Sequence, residues 1–256
     1  MTRYVRAQTL AGPRYCEVDQ QTLWILTGAP WWVETRRTQE SLPLAGTKLL
    51  APADASKIVC VGQNYRKHAA EMGKPVPQEP LIFLKPPSAL NGMDSPIVLP
   101  PASQEVHYEA ELALVIGERL TRASEEEAAR AIFAVSCFND VTARDIQKAE
   151  TQHTRAKGYD TFACCGPWMV RGLSPADLQV RCRVNGQTRQ DGRTSDMIFA
   201  PAKLVSFISS VMTLMPGDLI STGTPSGVGA LKAGDVVEIE IEGVGVLKNP
   251  VVQGGA

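Results

Sequence analysis

Residues two apart on a strand share a face, so a run whose two alternating sets are both apolar marks a strand buried on both sides. The run 106–117 is of this kind. Tyr108, Ala110, Leu112 and Leu114 form one set, while Ala113 and Val115 continue the other, in which Glu109 and Glu111 stand side by side. The runs 58–61, 81–84 and 131–138 read as further buried strands, and 14–18 and 22–27 as shorter ones near the start. A looser stretch holding Pro43, Gly46 and Pro52 then divides the chain into a small N-terminal β unit with its connector, 1–55, and a larger domain, 56–256. Ser124 followed by Glu125, Glu126 and Glu127 is a capped helix start for 124–134, and 202–213 is the second helical segment. Pro216-Gly217-Asp218 makes a turn, after which 219–247 returns to strands. Strands outnumber helices and no regular β-α alternation appears. The pattern therefore predicts a mixed β-rich (α+β) fold with few helices, and not a doubly wound sheet.

A second E-x-E run, Val236 to Gly243, alternates cleanly: Glu238, Glu240 and Glu242 on one face, apolar residues on the other, then glycine. That is an ordinary half-exposed hairpin. Glu109 and Glu111 have no such polar face. Two carboxylates held together among apolar residues repel and are costly to desolvate unless something positive joins them. With Asp140, at the end of the next apolar run, they make a set of hard oxygen donors suited to Mg²⁺ or Mn²⁺ and less to zinc.

Composition narrows the partners. The chain has 256 residues, long enough for one large domain with an appendage. Its 26 Lys and Arg balance 27 Asp and Glu with no basic block, which excludes nucleic acid as an expected partner. No run is apolar enough to span a membrane, and Met1 to Arg6 lacks the apolar core of a signal peptide. The six cysteines contain no C-x-x-C pair, and Cys60 and Cys137 lie in apolar runs as free thiols. Adjacent Cys164 and Cys165 read as core residues and not as a redox pair. A cytoplasmic protein is expected.

Further chemistry lies between the strands. His68 and Glu71 are three apart, so one helical turn puts them on one face, where a carboxylate can orient an imidazole as a base. Gly73 and Pro75 follow, as in a mobile flap. The glycine-rich stretch Ser221 to Gly229 lacks the Gly-Lys-Ser/Thr ending of a phosphate loop and any G-x-G-x-x-G. Its amides and the Thr224 hydroxyl instead suit a small carboxylate, a tight hairpin being the alternative.

Together, Tyr108-Glu109-Ala110-Glu111-Leu112, Asn139-Asp140-Val141-Thr142-Ala143-Arg144-Asp145 and Thr222-Gly223-Thr224-Pro225-Ser226-Gly227-Val228-Gly229 closely resemble the fumarylacetoacetate hydrolase family, over about 57–248 and in the right order. The resemblance implies a β-sandwich roll, bound Mg²⁺ or Mn²⁺, a homodimer and a small 2-oxo acid substrate. It assigns Glu109, Glu111 and Asp140 as metal ligands, Lys157 as the active-site lysine, and His68 and Glu71 as a lid dyad. Lys85, Arg144, Gln147 and Thr224 match residues around the substrate pocket. Gln63 stands where many relatives have arginine, so no substrate role is carried over to it. His107 shares the face of Glu109 and reads as a packed histidine, and His153, in a polar stretch, as a surface one. The implied activity is C–C hydrolysis of acylpyruvate-type 2,4-dioxo acids through a pyruvate enolate, with decarboxylation of oxaloacetate beside it. Isomerisation or decarboxylation of hydroxymuconate-type dienol diacids is the alternative, and a catalytically idle metal-binding member the second.

Overall fold

A computed structural model of the protein describes residues 1–71, 73 and 75–255. Met72 and Lys74, in the expected flap, lie outside the described residues. The fold is mixed and β-rich: a twelve-stranded sheet, a five-stranded sheet and a small three-stranded one, with a few short helices.

The strand Ala110–Ile116 lies in the middle of the large sheet, between Ile132–Asp140 and Leu219–Ser221. Every residue in it is buried. Leu112, Leu114 and Ile116 pack into a core shared with Val180, Ile239 and Leu247 of the five-stranded sheet. Ala113 and Val115 face the opposite way, into a second core with Phe138 and Met169. Both faces are thus apolar, as the alternation predicts.

The expected continuous strand 106–116 is interrupted at Glu109. Val106–Tyr108 pairs with Thr142–Ala143 and Gly229–Ala230, whereas Ala110–Ile116 pairs elsewhere, so the chain changes sheets at the carboxylate. The backbone groups freed there are satisfied: the Glu109 amide donates to Asn139 Oδ1 at 2.9 Å, and the Asp140 amide donates to the Glu109 carbonyl at 2.9 Å. Those two bonds hold the acids of neighbouring strands together.

The helix Glu125–Ala131 carries the predicted cap, with Ser124 and Glu127 forming a reciprocal capping box. It stops at Ala131, where the buried strand Ile132–Asp140 takes over. The second predicted helix runs Pro201–Val211. Toward the N-terminus, Thr2–Thr9 pairs with Ala163–Arg171, and the next three strands extend the large sheet outward from it. The second E-x-E run is the expected hairpin: Val237, Ile239 and Ile241 are buried, and Gly243 turns the chain at φ +75°. All six cysteines are buried free thiols. No helix among the described residues is long and apolar enough to cross a membrane.

Candidate active site

Glu109 and Glu111 project from the sheet junction on one face, and Asp140 ends the neighbouring strand. Donor oxygens of the three lie within 4.8 Å of one another. All three residues are at least 95% buried. Each carboxylate has a different environment. Glu109 accepts from Lys157 Nζ at 2.8 Å and from Arg144 Nη2. Asp140 accepts from Lys157 Nζ at 2.6 Å and from Lys85 Nζ. Among the described residues Glu111 accepts only from neutral donors, the Ser221 hydroxyl and the Gly223 amide at 2.8 Å, both at Oε2.

The electrostatics follow from those partners. Burial would raise the Glu109 carboxyl, but Lys157 and Arg144 outweigh it and hold the group well below the usual carboxylate range. Glu111 is pushed the other way, by burial first and then by the charges of Asp140 and Glu109. Burial also opposes the charge on Lys157, yet Asp140 and Glu109 hold its ammonium above the ordinary lysine value. Those two acids hold Lys157 as an ammonium. Among the described residues no group donates to Oε1 of Glu111. A divalent cation fits here: it finds three oxygen donors, and its charge removes the repulsion that works against ionisation of Glu111.

His68 and Glu71 lie on the helix Arg66–Glu71, and His68 Nδ1 is 3.0 Å from Glu71 Oε2. Glu71 in turn accepts from the Gly227 amide at 3.0 Å. The glycine-rich stretch thus does hold carboxylates, but they are the chain's own: Gly223 takes Glu111 and Gly227 takes Glu71. Glycine is required at Gly227, where φ is +101° and a Cβ would lie 2.2 Å from the Arg189 carbonyl oxygen. The Thr224 hydroxyl is likewise engaged, donating to the Ala110 carbonyl at 2.8 Å and accepting from Gln190 Nε2 at 2.8 Å.

One cavity of about 420 Å³ is lined by Glu109, Glu111, Asp140, Lys157, His68 and Arg144, together with Gln147 and Thr224. Arg144 Nη1 donates to Gln147 Oε1, which joins two of the expected pocket residues. Gln63 also reaches the wall, through a left-handed backbone at φ +57°. Lys85 is placed differently from the expectation. It is only 1% exposed and is not among the cavity-lining residues, donating instead to Asp140 and to the Val141 carbonyl at 2.9 Å. His107 Nε2 meets Glu105 at 3.0 Å. His153 corrects its reading as a surface residue: it lines the cavity. Two residues escaped the sequence reading. Ser221 heads the glycine-rich stretch and donates to Glu111, a contact its neighbours in sequence do not signal. Gln190 binds the Ala110 amide, Thr224 and the Pro225 carbonyl from a distant strand, and nothing in its neighbours signals this.

The acid-lined cavity could hold a metal ion, and comparison with known proteins names the family. The sequence matches the fumarylacetoacetate hydrolase C-terminal profile over residues 57–252 and the Rv2993c-like N-terminal profile over residues 2–52. It is 52% identical to protein Rv2993c of Mycobacterium tuberculosis over 221 residues, 85% of this chain and 83% of that one. It is 43% identical to the mitochondrial oxaloacetate tautomerase of Xenopus laevis over 227 residues, 84% of this chain and 71% of that one. The crystal structure of 2-hydroxyhepta-2,4-diene-1,7-dioate isomerase from Mycobacterium marinum superposes with a TM-score of 0.92, at 44% identity and over the whole of both chains. The chain belongs to the fumarylacetoacetate hydrolase family.

Proposed function

We propose that this protein is a divalent-metal-dependent enzyme of 2-oxo dicarboxylates that moves a proton at the carbon beside the oxo group, through the substrate's enolate. The observation that carries the reading is the charge balance of the buried cage. With all three carboxylates ionised as ligands, Glu109, Glu111 and Asp140 offset Lys85, Arg144 and Lys157. The charges at the rim cancel locally, Lys148 against Glu105 and Arg155 against Glu150. A divalent cation then leaves the buried cage positive even when Glu71, beside His68 at its mouth, is counted, which suits an anionic substrate, a 2-oxo carboxylate or dicarboxylate. The names of the Xenopus tautomerase and the mycobacterial isomerase, both of which denote diacids, support the same class.

Glu109, Glu111 and Asp140 would hold the cation, which when bound supplies Lewis acidity for the 2-oxo oxygen. The pairing of His68 Nδ1 with Glu71 sets the tautomer, leaving Nε2 as the base that takes the proton from C3. Lys157, kept charged by two acids, sets positive potential beside the developing oxyanion. Arg144 and Gln147 offer the wall against which a substrate carboxylate is oriented.

Hydrolysis of acylpyruvates is the second reading, favoured by the same His68–Glu71 pair, which can equally deprotonate a water. The experiment compares enol–keto conversion of oxaloacetate and of dienol diacids with cleavage of acylpyruvates, each with Mg²⁺ and Mn²⁺. Acceleration of the diacid conversions, lost in His68→Ala with metal affinity retained, is expected. Cleavage of acylpyruvates with no effect on any diacid would overturn the proposal in favour of the hydrolase. A homodimer, implied by the family resemblance, is proposed alongside and is read by light scattering.

A further inference from the structure

His153 precedes the short helix Thr154–Lys157, and its carbonyl accepts the Lys157 amide at 3.0 Å. The spacing of four puts the two side chains on one side of the turn. Phe83 holds both of them. The His153 ring stands edge-on to it, with centroids 5.5 Å apart and planes at 89°, while the Lys157 ammonium lies 5.0 Å from its centroid. His153 lines the cavity, and its Nδ1 is buried with no hydrogen-bond partner among the described residues, which leaves Nε2 as the ring nitrogen free to meet a ligand. An orphaned buried N–H costs more than an orphaned lone pair, which places the proton on Nε2. Burial and the Lys157 charge push this imidazole below its ordinary value, which keeps it neutral near pH 7. The nearby rim cations Lys148 and Arg155 are already taken by Glu105 and Glu150. Among the described residues no group bonds to His153 Nε2, so this ring is a donor on the cavity wall without a partner of its own.

We propose that His153 determines substrate specificity, its Nε2–H donating to a carboxylate oxygen at the end of the substrate remote from the 2-oxo acid group. The proposal rests on the reading of the cavity as a 2-oxo dicarboxylate site.

The test uses the full-length protein with Mg²⁺ and measures binding by calorimetry, with 2-oxoglutarate as the diacid probe and 2-oxobutyrate as the monoacid. The wild type is expected to prefer the diacid. His153→Phe keeps the ring and its contact with Phe83 but removes the donor. It should reduce that preference about tenfold or more while leaving 2-oxobutyrate affinity within about twofold. His153→Gln, which restores an N–H, should recover most of the preference. An unchanged preference in His153→Phe, an equal loss for both probes, or no diacid preference in the wild type would each overturn the proposal. Because binding is read without turnover, a diacid preference that depends on His153 in a protein inert toward every enol–keto substrate would uphold this proposal and sink the reaction assigned above.

Discussion

The strands Ala110–Ile116 and Val236–Ile241 carry the same local pattern, glutamates two apart among apolar residues, and they have opposite fates. Glu238 lies opposite Lys248 across its hairpin, and Glu240 pairs with Arg183 at the surface, so water and nearby cations screen both acids. Glu109 and Glu111 sit between two cores in the middle of a sheet, and their needs are met only by groups from distant parts of the chain. What separates the two sites is the second face: one strand leaves it to solvent and the other buries it. The same residue spacing therefore yields a solubilising surface in one place and a charged cage in the other.

Even the two acids of the buried pair differ, and this sharpens the contrast. Glu109→Gln removes the anionic partner of Arg144 and one of the two acids that hold Lys157. It should destabilise the metal-free protein by about 3–5 kcal/mol, read by urea unfolding. Glu111→Gln keeps an oxygen for Ser221 and Gly223 and removes a charge that burial disfavours. Its metal-free stability should stay within about 0.5 kcal/mol of the parent, or rise, while turnover falls at least about a hundredfold through loss of a ligand. Equal destabilisation by the two substitutions would erase the distinction drawn between the acids.

Metal and pH test the same point. The Glu111 carboxyl titrates above the ordinary range, so the folded metal-free protein holds a proton that the unfolded chain has released. Stability from this group falls as pH rises from the ordinary carboxylate range toward the raised value. A bound cation displaces that proton, so stabilisation by Mg²⁺ should grow across that window and reach about 2 kcal/mol at roughly thirty times Kd. Thermal unfolding at pH 5 and pH 8, with Mg²⁺ and with chelator, reads this directly. The same shift at both pH values would mean that Glu111 is already ionised without metal.

The smallest effect belongs to the surface strand. Glu240→Gln should change stability by less than about 1 kcal/mol and leave both metal affinity and turnover at parental levels. A loss of activity there would show that the two E-x-E strands are coupled.

Residue pattern alone determined the β-rich class, both principal helices, the doubly buried strand and the candidacy of Glu109, Glu111 and Asp140 as a cation site. Each follows from periodicity or from the cost of burying charge, which are properties of short stretches of chain. The His68–Glu71 pair was legible for the same reason, because one helical turn fixes that contact. The sheet change at Glu109, the pairing of Lys85 with Asp140, the grip of Gln190 on the strand junction and the place of His153 on the cavity wall were decided only by the tertiary structure. These contacts join residues tens of positions apart, or turn on which side of a loop faces inward, and polar residues in loops carry no periodicity to announce it. His153 reads as a solvated residue until Phe83 and Lys157 arrive from the fold to hold its ring against the site.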